Sequence, residues 1–339
     1  MKRVLFKITQ TKIFWPLVAL FVLLLLNFLF IPGFFSIEIK NGHLFGSLID
    51  ILNRVIPLLI ISIGMTLVIA KEGIDISVGS VLAISGALAA YMMESYSVWV
   101  ALIAAVCVGI VCGLWNGILV SVFEIQPMVA TLILLTVGRG IAQLITGGQI
   151  LTIDNDIYGY IGSGFLFGLP FPIFIGAVIF LIMIYMKKRT AMGLFLESIG
   201  NNITASKFAG IQPKKIILLV YTICGVCAAI AGIIVSANVS SADANNAGLW
   251  IELDAILAVV IGGTSMRGGR YFLGGTVIGA LFIQTLSTTI YSVGINPEIV
   301  MVVKAFVVII VCLFQSEEFR KLFLQFNKKK VSSHEAFQV

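Results

Sequence analysis

The chain has 339 residues, of which 59% are hydrophobic and 11% charged, and it carries a net charge of +6. A mean hydropathy of +1.09 lies far from the balance of about 45–50% apolar and 25% charged residues in soluble domains, which excludes a water-soluble globular fold. The basic balance does not mark nucleic-acid binding, because Lys and Arg gather in the tails and one loop, where they set membrane topology.

Apolar runs are read at 13–31, 55–70, 78–93, 98–122, 127–146, 171–186, 215–236, 253–264, 271–291 and 299–314. The pattern predicts an all-α integral membrane protein of about ten transmembrane helices, some short or broken. A single transmembrane domain over 13–316 would lie between tails 1–12 and 317–339. The first run follows Lys2, Arg3, Lys7 and Lys12 and has Trp15 near its start; it is too long for a signal peptide and lacks a small-residue cleavage site, so it is read as a retained helix. Basic residues return at Lys187, Lys188, Arg189, Lys207, Lys214 and Lys215, at Arg267 and Arg270, and from Arg320 to Lys330. With all of them in the cytoplasm, six spans precede Lys187 and four follow Lys215, and both termini are expected to be cytoplasmic. Residues 147–169 and 237–252 carry Asp154, Asp156, Asp243 and Glu252 without Lys or Arg, as outer loops should.

The stretch "KEGIDISVGS" at 71–80 interrupts two apolar runs with Lys71, Glu72 and Asp75. It is read as a turn with Lys71 and Glu72 in water, leaving Asp75 and Ser77 as the residues of interest: Asp75 caps the next helix, gates, or contacts a solute. "LVIAKEGIDISVGSVLAISGAL" and "VVIGGTSMRGGRYFLGGTVIGAL" share a scheme of apolar run, Gly-rich break and Gly-rich helix, which suggests parallel internal repeats. Gly109, Gly113 and Gly117, and again Gly275 and Gly279, recur at intervals of four, the spacing that lets membrane helices approach closely.

Catalytic chemistry finds little support. The two histidines, His43 and His334, fall in a loop and the tail, so no intramembrane Ser-His pair or H-E-x-x-H zinc site is available. The serine of "GTSM" at 263–266 lacks a base, and Asp75 and Asp254 lack the flanking pattern of an aspartyl protease dyad. Cys224 and Cys227 share one face of an apolar helix with no second pair to complete a metal site. No G-x-x-x-x-G-K-S/T phosphate loop occurs.

The segment from Thr190 to Pro213 is amphipathic, with Ala205, Phe208, Ala209 and Ile211 interleaved with Asn201, Asn202, Thr204 and Lys207. Its polar face is rich in Asn, Ser and Thr rather than Lys and Arg, which suits docking into a protein groove more than lying on lipid. Polar residues inside the spans are candidates for a solute path: Asn116, Gln143, Asp254, Thr264 and Gln284, with Arg139 as a possible carboxylate partner. Interhelical hydrogen bonding is the competing reading for each.

"GIDISVGSVLAISG", "LESIGNNITASKFAGI" and "ELDAILAVVIGGTSMRGG" resemble signature segments of the permeases of bacterial ABC sugar importers, the family of the ribose, xylose and autoinducer-2 systems. The resemblance runs from about 45 to 315. "IQPMVATLIL" and "GRGIAQLITGGQI" resemble more narrowly the permease subunits of galactofuranose importers. The family pattern departs at Lys71 and Glu72, where small residues usually stand. The resemblance implies a sugar permease of the bacterial inner membrane that binds no cofactor itself. ATP would be bound by partner ATPase subunits; a second permease, paralogue or copy, and a periplasmic sugar-binding protein would complete the importer. It maps the ATPase-coupling segment, within about 187–215, onto Glu197, Gly200, Asn201, Ala205, Gly210 and Ile211. Permeation of another sugar, or an ion-coupled secondary transporter, are the alternatives.

Overall fold

A computed structural model describes residues 13–40 and 42–315; the tails expected at 1–12 and 317–339, with His334, lie outside the described residues. The described chain is predominantly helical. α1 (Phe14–Phe30) is followed by a hairpin of β1 (Glu38–Lys40) and β2 (His43–Phe45). Then come α2 (Ser47–Ala70), α3 (Val78–Met93), α4 (Val98–Ser121) and α5 (Pro127–Thr146). β3 (Ile150–Thr152), α6 (Asp156–Ser163), β4 (Phe165–Leu166) and β5 (Leu169–Pro170) fill the next connection before α7 (Phe171–Arg189). α8 (Ala191–Asn201) and α9 (Ile203–Phe208) precede α10 (Pro213–Asn238), and β6 (Ser241–Asp243), α11 (Ile251–Ile261), α12 (Leu273–Ser292) and α13 (Pro297–Gln315) complete the chain.

Six of these helices, α2, α4, α5, α7, α10 and α12, are long and apolar enough to cross a bilayer, and α1, α3 and part of α13 are shorter apolar helices. Each of the ten predicted runs coincides with a helix. α2 and α10 form the centre: α2 is buried throughout from Val55 to Ala70, and α10 packs against α2, α3 and α4. α11 and α12 lie against α2, α1 lies against α12, and α5 covers α3.

Small residues set how close these helices come. A Cβ at Gly113 would stand 2.5 Å from the Tyr221 carbonyl oxygen, and one at Gly225 would stand 2.3 Å from that of Gly109, so the α4–α10 seam is closed by backbone contact. On α12, Gly275 and Gly279 meet the carbonyls of Gly262 and Ala258 in the same way. Lipid leaves no hydrophobic drive between helices, so close dispersion contact has to hold them together.

The basic residues Lys187, Lys188, Arg189 and Lys214 define one end of the bundle, the basic end, where α2 stops and α10 starts. The opposite end carries more structure than a solvated loop. β3 pairs antiparallel with β6, Ile150 opposite Asp243 and Thr152 opposite Ser241, which ties the connection after α5 to the one after α10. α6, capped by the Asn155 side chain on the Tyr158 N–H, packs on α10.

Candidate functional site

At the basic end α2 and α11 stop in the same way. Gly73 N–H donates to Val68 O (3.0 Å) and Glu72 N–H to Ile69 O (2.9 Å); Thr264 N–H donates to Val259 O (3.3 Å) and Gly263 N–H to Val260 O (2.9 Å). Each is a Schellman termination, and each puts a left-handed residue at the same place, Glu72 at φ 67° and Gly263 at φ 87°. The predicted internal repeat therefore reappears as paired helix ends. Glycine is favoured in the left-handed region for want of a Cβ, and Gly262 and Gly263 occupy in the second break the positions that Lys71 and Glu72 occupy in the first.

The two breaks are joined. Gly269 N–H donates to Ala70 O at 2.8 Å. Inside the membrane Thr66 and Thr276 share a hydroxyl hydrogen bond of 2.7 Å, so α2 and α12 are pinned a turn or so further in.

The expectation for Lys71 is corrected. Rather than standing in water, it is buried to 9% exposure, with Nζ 4.7 Å from the centre of the Tyr221 ring; Glu72 is the exposed member of the pair. The Gly73 backbone makes room, since a Cβ there would meet Lys71 Nζ at 2.9 Å. Burial pulls the Lys71 ammonium down to about 8, against the pull of Asp75 and Glu72.

Asp75 Oδ1 accepts the Ser77 N–H (3.0 Å) and the Ser77 hydroxyl (2.6 Å), with Asn116 Nδ2 at 3.4 Å. Asn116 Nδ2 also donates to Ser77 Oγ at 2.9 Å. All three residues are at most 1% exposed. The carboxylate thus closes a local turn leading into α3, whose own N-cap residue Ser77 makes no side-chain cap bond. Thr264 does the corresponding work in the second break, accepting the Phe272 N–H at 3.1 Å.

The remaining path candidates scatter. Gln143 is exposed near the far end of α5 and donates to Asn245 Oδ1 at 2.8 Å. Gln284 is half-buried on α12, 3.5 Å from Thr288 Oγ1. Asp254 pairs with Lys304 Nζ at 2.8 Å, an ion pair between α11 and α13 that leaves the side chains 25% and 16% exposed. Among the described residues Arg139 makes no direct ion pair; its Nη1 donates to the carbonyls of Ala244 (3.1 Å) and Ala247 (2.6 Å), anchoring the segment before α11, and the carboxylates that act on its charge from further off are Glu252 and Asp243. In that segment the Asn246 amide and the N–H groups of Asn245 and Asn246 hold the Asp243 carboxyl below its usual range.

The predicted coupling segment is α8 and α9. Asn202 caps α9 by accepting the Ala205 N–H at 2.9 Å, and the chain leaves α9 through Gly210 at φ 82°. Asn201, Ala205 and Gly210 are exposed, Ile211 is half-buried, and Phe208 is 89% exposed. Glu197 pairs with Lys187 at 3.3 Å. Lys187, a residue that charge counting treats as a topology marker, also donates to the Tyr271 carbonyl and lies 3.8 Å from the centre of the Tyr271 ring. Gly200 is buried at the junction of both breaks: a Cβ on it would fall 1.9 Å from Ala70 O and 2.5 Å from Gly269 N. α8 therefore packs, through one backbone position, against both breaks.

A bundle of apolar helices, several of them short, interrupted by paired breaks and flanked by an amphipathic segment at the basic end, is the architecture of a membrane permease. The family model for branched-chain amino acid transport system permease components matches residues 47–312, and the chain belongs to that family. It is 51% identical over 314 residues to the galactofuranose transporter permease protein YtfT of Escherichia coli strain K12, covering 91% of this chain and 92% of that one. It is 37% identical over 337 residues to the fructose import permease protein FruF of Bifidobacterium longum (97% and 95% covered). It is also 37% identical over 307 residues to the ribose import permease protein RbsC of Escherichia coli strain K12 (89% and 93%). No solved structure matches.

Proposed function

We propose that the chain is a permease subunit of an ATP-binding cassette importer that carries galactofuranose inward across the bacterial inner membrane. The observation that carries this reading is the 51% identity, held over nearly the full length of both chains, to a galactofuranose permease, against 37% to the fructose and ribose permeases. In this reading the basic end is cytoplasmic, in keeping with the excess of Lys and Arg there. A periplasmic binding protein delivers the sugar at the opposite end, a second permease completes the path, and two ATPase subunits dock below.

The exposed Phe208, Ala205 and Asn201 suit a protein groove, since an apolar side chain flanked by uncharged polar ones is a common docking pattern. Closure of the ATPase dimer would push α8, and Gly200 would pass the push to Ala70 and Gly269. The alternative of an ion-coupled carrier is disfavoured by Asp254, whose charge is already matched by Lys304.

The test is reconstitution in vesicles with the ATPase, the partner permease and the binding protein. Galactofuranose uptake is expected to require ATP and to exceed ribose and fructose uptake. Phe208→Ala is expected to weaken ATPase docking while leaving the permease folded. Uptake driven by an ion gradient with no ATPase present would refute the importer reading, and equal uptake of all three sugars would refute the substrate.

A further inference from the structure

Between α8–α9, the turn joining α4 to α5 and the start of α10 lies a cavity of about 390 Å³ at the basic end. Its volume is in the range of small-molecule sites. Three lysines line it, Lys71, Lys207 and Lys214, against two carboxylates, Glu72 and Glu124, so the wall carries one net positive charge. Lys214 is 3.9 Å from Glu124, an exposed pair that solvent screens. Among the described residues the Lys71 ammonium makes no ion pair within 4 Å and no hydrogen bond; it lies over the Tyr221 ring, with Asp75 and Glu72 acting on its charge from further off, although the residue is only 9% exposed. A buried ammonium without a direct hydrogen-bonded partner is costly and favours an anionic ligand in contact with it.

Two further features point the same way. α5 and α10 both begin at the cavity, each with proline in its first turn and no side-chain cap, so the positive ends of two long helices lie at its wall. Ser121, 4% exposed on the cavity wall, has a buried hydroxyl with no partner among the described residues. Asn201, also on the wall, carries a side-chain amide that donates to the Glu197 carbonyl at 2.8 Å. Three cations outweigh two carboxylates, and with the two helix ends they suit a phosphate; the polar side chains of Ser121 and Asn201 on the wall suit a small hydroxylated body.

We propose that this cavity binds a phosphorylated monosaccharide from the aqueous phase at the basic end. The ester would bridge α8–α9, the α4–α5 turn, the start of α10 and the first break. In the assembled importer that bridge would restrain the coupling segment and slow uptake. This consequence rests on the proposed function, whereas the binding does not.

The experiment uses the full-length chain in nanodiscs of phosphatidylcholine, followed by thermal unfolding with glucose-6-phosphate, with glucose and with sulfate. Glucose-6-phosphate is expected to stabilise the chain and glucose is not; sulfate, lacking the sugar, is expected to act more weakly. Lys71→Met and Lys207→Met should each weaken the apparent affinity about tenfold, the loss of one charge-assisted contact. Lys207 is exposed and has no packing role, so its variant keeps the test valid should Lys71→Met misfold. No stabilisation by glucose-6-phosphate, stabilisation unchanged in Lys207→Met, or an effect that appears only when phosphatidylglycerol is added to the discs would overturn the proposal, the last by assigning the cavity to a lipid headgroup.

Discussion

Lys304→Met removes one half of the ion pair between α11 and α13 and strands Asp254 in an apolar setting. The pair is close, Nζ to Oδ2 2.8 Å, and mostly shielded, with 16% and 25% of the two side chains exposed. A lone charge at the centre of a membrane helix costs about 2.5–3.5 kcal/mol on insertion scales, and breaking a fully buried pair costs about 3–5 kcal/mol. Residual exposure lets Asp254 reach some solvent, so a loss of about 2 kcal/mol is expected, roughly a thirtyfold change in the folded ratio. Asp254→Asn should cost a similar amount by stranding Lys304. The double variant should return to within about 1 kcal/mol of the parent, because replacing a whole buried pair is often near neutral. Detergent-titrated unfolding of the four proteins gives the cycle directly. Additive losses, with a coupling energy under about 0.5 kcal/mol, would mean the two groups do not depend on one another and would refute the reasoning.

Two further outcomes follow from packing and from the first break. Gly113→Leu places a side chain where a Cβ alone would lie 2.5 Å from a carbonyl of α10, so it should separate α4 from α10 and reduce the yield of folded protein, while Gly140→Leu, where nothing lies within 4 Å, should be tolerated; folded yield by size-exclusion profile compares the two. Asp75→Asn keeps an oxygen to accept the Ser77 N–H and should lower the unfolding temperature only slightly, whereas Asp75→Ala takes the acceptor from the buried Ser77 N–H and hydroxyl and should cost about 2–3 kcal/mol. Equal loss in both variants would place the importance in the charge instead of the acceptor.

The ten apolar runs were readable because the bilayer imposes length and hydropathy on every span; 78–93 and 127–146 match α3 and α5 to the residue. The partners of those helices were not readable. Faces toward lipid and faces toward protein are both apolar, so periodicity carries little about which helix meets which. The glycine intervals were the exception, since only close contact explains them. Lys71 was misplaced because a charge beside a helix end usually reaches water, and nothing local signals that Tyr221, 150 residues away, folds over it. Lys304 carried a readable sign, a single cation within an apolar run, and deserved a partner from the outset. Lys187 was legible as charge but not as a clasp on Tyr271, since that contact spans 84 residues.

The bond from Gly269 to Ala70 links places 199 positions apart in the chain, and Gly200 rests on both ends of it. Two interruptions that answer to separate stretches of sequence are thereby tied at one point. Parting them costs that bond, about 0.5–1.5 kcal/mol, and the backbone packing around Gly200 besides, so a displacement of one break favours a displacement of the other.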